Sequence, residues 1–205
     1  MAFAKSDEKR TAILKEALKL FNRNGIEYVG VREIAASIGM RPSHITYYFP
    51  TKEDIVVAIA QQLGELNDRN LSDPAEVDSL ETFIDRFRQV MKNHIKFRCL
   101  PLSMPHLVER SPKMRDHLKR TQGRRKDDLR VMIQNLAGNH VVRQLQEEEI
   151  AYLIGCFSLI SRGWLSETVA AGSRPETRID HYLDLIRMHL RPFLRDQGGK
   201  RSVKK

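Results

Sequence analysis

A chain of 205 residues with 41% hydrophobic and 30% charged side chains is too long for a lone three-helix unit and short for two full-sized domains, so a small domain followed by a medium one is expected. A formal charge of +9 favours a polyanionic partner without choosing among DNA, RNA and an acidic membrane surface. The only cysteines, Cys99 and Cys156, argue against a disulfide framework; with a charged N-terminus and no run near the ~20 apolar residues of a membrane span, a cytoplasmic protein is expected.

Apolar residues recur at helical spacing almost throughout, with no alternating strand pattern and no internal repeat, so the chain reads as all-α with about nine helices. Gly25, Gly39, Pro50, Pro74, Pro101, Pro105, Pro112, Gly138, Gly172 and Pro175 are the expected breaks. The first helix is expected to start at an Ser6 cap, with Asp7 and Glu8 in its first turn, and to bury Ile13, Leu14, Ala17, Leu18 and Phe21 before Gly25. A short helix over 31–38 turns Ile34, Ala35 and Ile38 inward and stops at Gly39, its start weakly capped because Gly30 has no side chain. Pro42 opens a third helix to Phe49, and Thr51 with Asp54 caps a fourth that ends before Pro74.

Two short helices joined by a tight glycine turn form the pattern of a helix-turn-helix, whose second helix enters the major groove. On the third helix Ile45 and Phe49, four apart, share the inner face, which leaves Ser43, His44, Thr46 and Tyr47 on or near the outer side. Three adjacent rings, Tyr47, Tyr48 and Phe49, cannot all face inward at 3.6 residues per turn, so at least one tyrosine points out. The stretch 31–39, followed by 44–54, closely resembles the TetR family of one-component repressors over roughly residues 7–58. That resemblance implies a DNA-binding domain over 1–51, a helical effector-binding and dimerisation domain over 52–194, and a homodimer on a palindromic operator of double-stranded DNA. By position, Arg32 would reach a base edge or phosphate, Lys52 would clamp a phosphate, and Ser43, His44, Thr46, Tyr47 and Tyr48 would share base, methyl and backbone contacts. Arg41 and Thr46 depart from the family pattern, which usually has a serine-like cap and a tyrosine there.

Beyond Asp73 local patterns carry the reading. Phe83, Phe87, Met91, His94 and Phe97 form a stripe that is first of all core. With Leu102, Met104, Leu107 and Met132 it is also the expected lining of a cavity for a small apolar or amphipathic effector, as the resemblance implies. The histidines lack metal-ligand spacing, so neither metal nor cofactor is expected. Lys119, Arg120, Arg124, Arg125 and Lys126 read as a solvated helix face balanced by Asp127 and Asp128. Between 147 and 171 apolar residues occupy more than one face, so that helix needs two partners; Phe157, Ile160 and Trp164 with Tyr182, Ile186 and Leu190 of the last helix are the expected four-helix dimer interface. The segment 195–205, with Arg201, Lys204 and Lys205, reads as a disordered basic tail. An activator, or a regulator whose ligand is a co-repressor, would carry the same sequence features. The rival from another class, a helical enzyme using His94, His106 or His117 with Glu109 or Asp116, has no phosphate loop, nucleophile elbow or metal motif behind it.

Overall fold

The computed structural model describes residues 2–70 and 74–195; of the expected tail over 195–205, Arg195 is placed, its N–H donating to the Val141 carbonyl at 3.0 Å, and the rest lies outside the described residues. Within these bounds the chain is all-α, as its periodicity requires: α1 (Ala2–Asn24), α2 (Val31–Ser37), α3 (Pro42–Tyr48), α4 (Lys52–Asn70), α5 (Leu80–Lys96), α6 (Cys99–Arg110), α7 (Pro112–Gly138), α8 (Glu147–Ala170) and α9 (Ile179–Leu190), with short 3-10 turns at Pro74–Glu76, Pro175–Thr177 and Arg191–Phe193. A single antiparallel bridge, Val142 to Leu194, ties the end of the described chain to the α7–α8 connection.

Several boundaries differ from the sequence reading. Helix α1 begins at Ala2 instead of at an Ser6 cap, which leaves Asp7 and Glu8 beyond its first turn; nothing in 2–5 breaks a helix, so propagation overrides the cap preference. Pro101 and Pro105 do not separate helices. Pro101 falls in the first turn of α6, where its missing N–H costs nothing. Pro105 lies inside the helix and takes from the Pro101 carbonyl its helical donor. Gly138 is the last residue of α7, and the left-handed turn falls on His140, at φ 61°.

The side chains sort into two apolar clusters. The first joins Ile13, Ala17 and Phe21 of α1, Ile34 of α2, Ile45 of α3 with Phe49 just past its end, and Ile55, Val56 and Ile59 of α4; Phe97, at the end of α5, and Cys99, Leu100 and Met114 complete it from the later part of the chain. This cluster runs through the expected boundary at 51/52, because the first turns of α4 are the floor on which α1 to α3 sit. The second cluster packs α5, α7, α8 and α9 around Phe83, Phe87, Phe157 and Trp164. Fully burying each such side chain contributes roughly 1.5–3 kcal/mol, so either cluster outweighs any single ion pair.

This packing corrects the expected dimer interface. Phe157, Trp164, Tyr182, Ile186 and Leu190 are buried within the protomer, and Ile160 is partly buried against the same core. They satisfy the inner face of α8 and α9. The outer face of α8 presents Tyr152, Gly155, Leu159, Gly163 and Ser166 at spacings of three or four residues, and Leu159 is 66% exposed. On α9 Met188 is 65% exposed.

Candidate nucleic-acid interface and cavity

Gly39 makes the bend between α2 and α3 possible: at φ 64° it occupies the left-handed region, and its N–H and that of Met40 close back on α2 carbonyls. Although Gly30 has no side chain to cap α2, the Glu33 carboxylate reaches back 3.0 Å to accept from its N–H. Pro42 stands at the first helical position of α3 and needs no donor partner there.

With Ile45 and Phe49 fixed in the core, the remaining side chains of α3 have one direction left. Ser43, His44, Thr46 and Tyr47 are exposed, Tyr47 by 82%. Tyr48 is half-buried against the first cluster and meets Tyr47 edge-on at 5.1 Å between ring centroids, so one ring braces the other. The Thr46 hydroxyl donates back to the Ser43 carbonyl at 3.2 Å. Arg32 on α2 is exposed and makes no ion pair among the described residues.

The start of α4 is built as expected from Thr51 and Asp54. The Asp54 N–H donates to the Thr51 hydroxyl oxygen at 3.1 Å, while Asp54 Oδ2 accepts from the Thr51 N–H at 3.0 Å. Lys52 behind this cap sends Nζ to the Glu27 carbonyl at 3.3 Å. Burial lowers its pKa, opposed by nearby Glu27 and Glu33. One of its three donors is thus spent tethering the α1–α2 loop, and two remain for an anion. The same loop holds Tyr28, 84% exposed, which sequence reasoning passed over; an aromatic between Gly25 and Gly30 was its only signal.

A cavity of about 660 Å³ opens among α4, α5, α6, α7 and α8. Of the expected lining, Phe87, His94, Met104 and Met132 face it. Phe83 and Met91 do not, because they point into the packed second core, and Leu102 and Leu107 are also absent from the lining. Sequence reasoning missed most of the polar lining, including Asn67, His117, Thr121 and Arg125. The Trp164 indole N–H donates to His94 Nδ1 at 3.3 Å, which places the imidazole proton on Nε2; burial, with Arg125 nearby, holds that imidazole at about 4. Arg125 reaches Asp68 of α4 and pairs with Asp128 at 3.2 Å, so part of the α7 basic run serves α4 and is not a plain solvated face.

His94 and His117 line this cavity while Glu109 and Asp116 do not, which separates the acid–base partners of the enzyme rival. Among the described residues no group of three or more His, Cys, Asp or Glu could hold a metal ion, and no helix is long and apolar enough to cross a membrane. Cys99 and Cys156 are free thiols, and burial pushes that of Cys99 up to about 12.

A braced, exposed helix on a small helical head, set on a larger helical body, is the layout of the helix-turn-helix class of DNA-binding regulators. The chain belongs to the TetR family: residues 13–59 match the model described as bacterial regulatory proteins of the tetR family, and residues 60–201 match that of the bacterial transcriptional repressor TetR. An HTH-type transcriptional repressor of Mycobacterium tuberculosis is 32% identical over 85 residues, 42% of this chain and 45% of that protein. The regulator RutR of Escherichia coli is 34% identical over 58 residues, 28% of this chain and 27% of RutR. The chain thus matches under half the length of these curated relatives. A TetR-family regulator from Marinobacter aquaeolei shares the fold with a TM-score of 0.84 at 21% identity, covering 94% of each chain. A regulator from Saccharomonospora viridis, solved in complex with choline, gives 0.74 at 21% identity, covering 92% of this chain and 99% of that one.

Proposed function

We propose that this chain is a ligand-responsive homodimeric repressor that reads a palindromic operator with α3. The observation that carries the reading is the outward face of α3, where Tyr47 stands free beside Ser43, His44 and Thr46 while Ile45 and Phe49 lock the helix from behind. Base contacts belong to that face and to Arg32, with Tyr48 bracing Tyr47; Lys52 and the N-terminal N–H groups of α4 take a backbone phosphate. One short recognition helix reads few base pairs, so a second copy, docked through the outer faces of α8 and α9, supplies the other half-site.

Helix α4 gives the effector a mechanical route. Its first residues form the phosphate site, and Ala60, Leu63, Gly64 and Asn67 line the cavity on the same 19-residue rod, roughly 28 Å long at 1.5 Å per residue. Its N-terminal turn is also held by α7, through Lys113 to Asp54 at 2.7 Å and Ser111 to Glu53. An effector that favours another setting of α4 relative to α7 changes the separation of the two recognition helices, and by linkage operator DNA weakens effector binding by the same factor.

The test is a fluorescence-anisotropy titration with DNA flanking the coding region and with nonspecific competitor. Saturable, competitor-resistant binding is expected, and Tyr47→Ala should lower the ratio of specific to nonspecific affinity. An unchanged ratio would move base reading off α3. Lys52→Ala should weaken binding to all sequences alike and reduce the salt slope by about one ion; selective loss at one base pair would contradict the phosphate role.

A further inference from the structure

The lining of the cavity is more cationic than apolar packing requires. Arg86, Arg125, Lys126 and Arg162 face it against one carboxylate, Asp128. Two of these cations are engaged: Arg86 with the Asn70 carbonyl and with Glu76, and Arg125 with Asp68 and Asp128. Lys126 and Arg162 are exposed, which puts them at the rim, and neither makes an ion pair among the described residues. Farther in, Phe87, Leu100, Leu129 and Met132 are buried apolar walls. The imidazole of His94 is neutral there, held so by burial and then by the charge of Arg125, while its Nδ1 accepts the Trp164 N–H.

Resting on the effector reading above, we propose that the occupant is an amphiphile with a single anionic head, a carboxylate on an apolar body. The body lies among the inner walls and the carboxylate pairs with Lys126 and Arg162 at the rim. A cationic head would meet one carboxylate already taken by Arg125 and one benzene ring, Phe87, too little for an aromatic cage. A neutral head gains the apolar walls but forgoes charge-assisted hydrogen bonds to the rim. The volume, about 660 Å³, is within the range of sites for ligands of this size.

The experiment uses the full chain without DNA and three ten-carbon probes below their micellar concentrations: decanoate, decan-1-ol and decyltrimethylammonium. Trp164 is the only tryptophan and is hydrogen-bonded to a lining residue, so its fluorescence reports occupancy. Decanoate should bind about tenfold or more tightly than either other probe, the scale of one charged hydrogen bond. The double variant Lys126→Gln, Arg162→Gln should erase that preference and leave decan-1-ol affinity unchanged, which also shows that the variant is folded. Equal or tighter binding of the alcohol or the ammonium, or a preference for decanoate that survives the double variant, overturns the anionic head and leaves the effector cavity standing. No response to any of the three overturns the effector cavity as well, while operator binding is scored independently by anisotropy.

Discussion

His94 couples the cavity to the pH dependence of folding. Its imidazole titrates at about 4 in the folded chain, against 6.5 for an unperturbed histidine. Between those values the unfolded chain binds a proton that the folded chain refuses, so stability falls as pH drops from 6.5 to 4 and the effect is complete below that window. The full difference is up to about 3 kcal/mol, a large share of the stability of an ordinary domain. His94→Gln keeps an acceptor for the Trp164 N–H and removes the titration. Urea unfolding at a series of pH values should therefore show a shallower slope in the variant between pH 4 and 6.5. Identical slopes would mean that His94 carries none of the acid sensitivity. Sequence alone gave a histidine on an apolar stripe; its tautomer depends on Trp164, seventy positions away in the chain, and no local pattern reveals that partner.

At the scale of elements, the short helices were the most legible because their constraints are local. Pro42 at the start of α3, Gly39 at the bend and the Thr51–Asp54 cap each act within four residues, and periodicity separates Ile45 and Phe49 from Tyr47. The cavity lining was legible only in part: a stripe shows that Phe83, Phe87 and Met91 face inward, but which of them meets another helix and which meets empty space depends on how five helices are spaced. The α4 cap yields a prediction at this scale. Thr51→Ala should lower the unfolding free energy by about 1 kcal/mol in urea denaturation, the usual worth of an N-cap, and should weaken DNA binding without regard to sequence because Lys52 loses its fixed base. Asp54, held below its ordinary pKa by Lys113 first and then by Thr51, contributes fully at neutral pH and loses its effect as pH falls through that lowered value. A Thr51→Ala chain as stable as the parent would show that the turn is held by Lys113 and Asp54 alone.

For the whole molecule, the proposed pairing gives the inward and outward faces of α8 different tasks. The sequence reading recognised that this helix needs two partners but assigned the larger apolar residues to the second copy. Large side chains satisfy the protomer first, because its core is fixed by covalent connection, whereas the second copy must be found by diffusion. What remains outside is a stripe in which Gly155 and Gly163 alternate with Leu159, a surface that lets another helix approach closely. Leu159, Gly163 and Ser166 also line the cavity, so a partner on this stripe would wall one side of the effector site and link occupancy to pairing. Gly155 offers the sharpest test because a Cβ built there meets nothing within 4 Å in the protomer. Gly155→Arg should raise the helix stability of the protomer, by up to about 1 kcal/mol, while setting a bulky cation against its own symmetry copy. On the proposed pairing, sedimentation velocity should show dimers for the parent and monomers for the variant at the same concentration, with circular dichroism retained. Operator affinity should fall towards that of a single half-site. A variant that stays dimeric would place the two-fold axis on another face and detach the effector cavity from pairing.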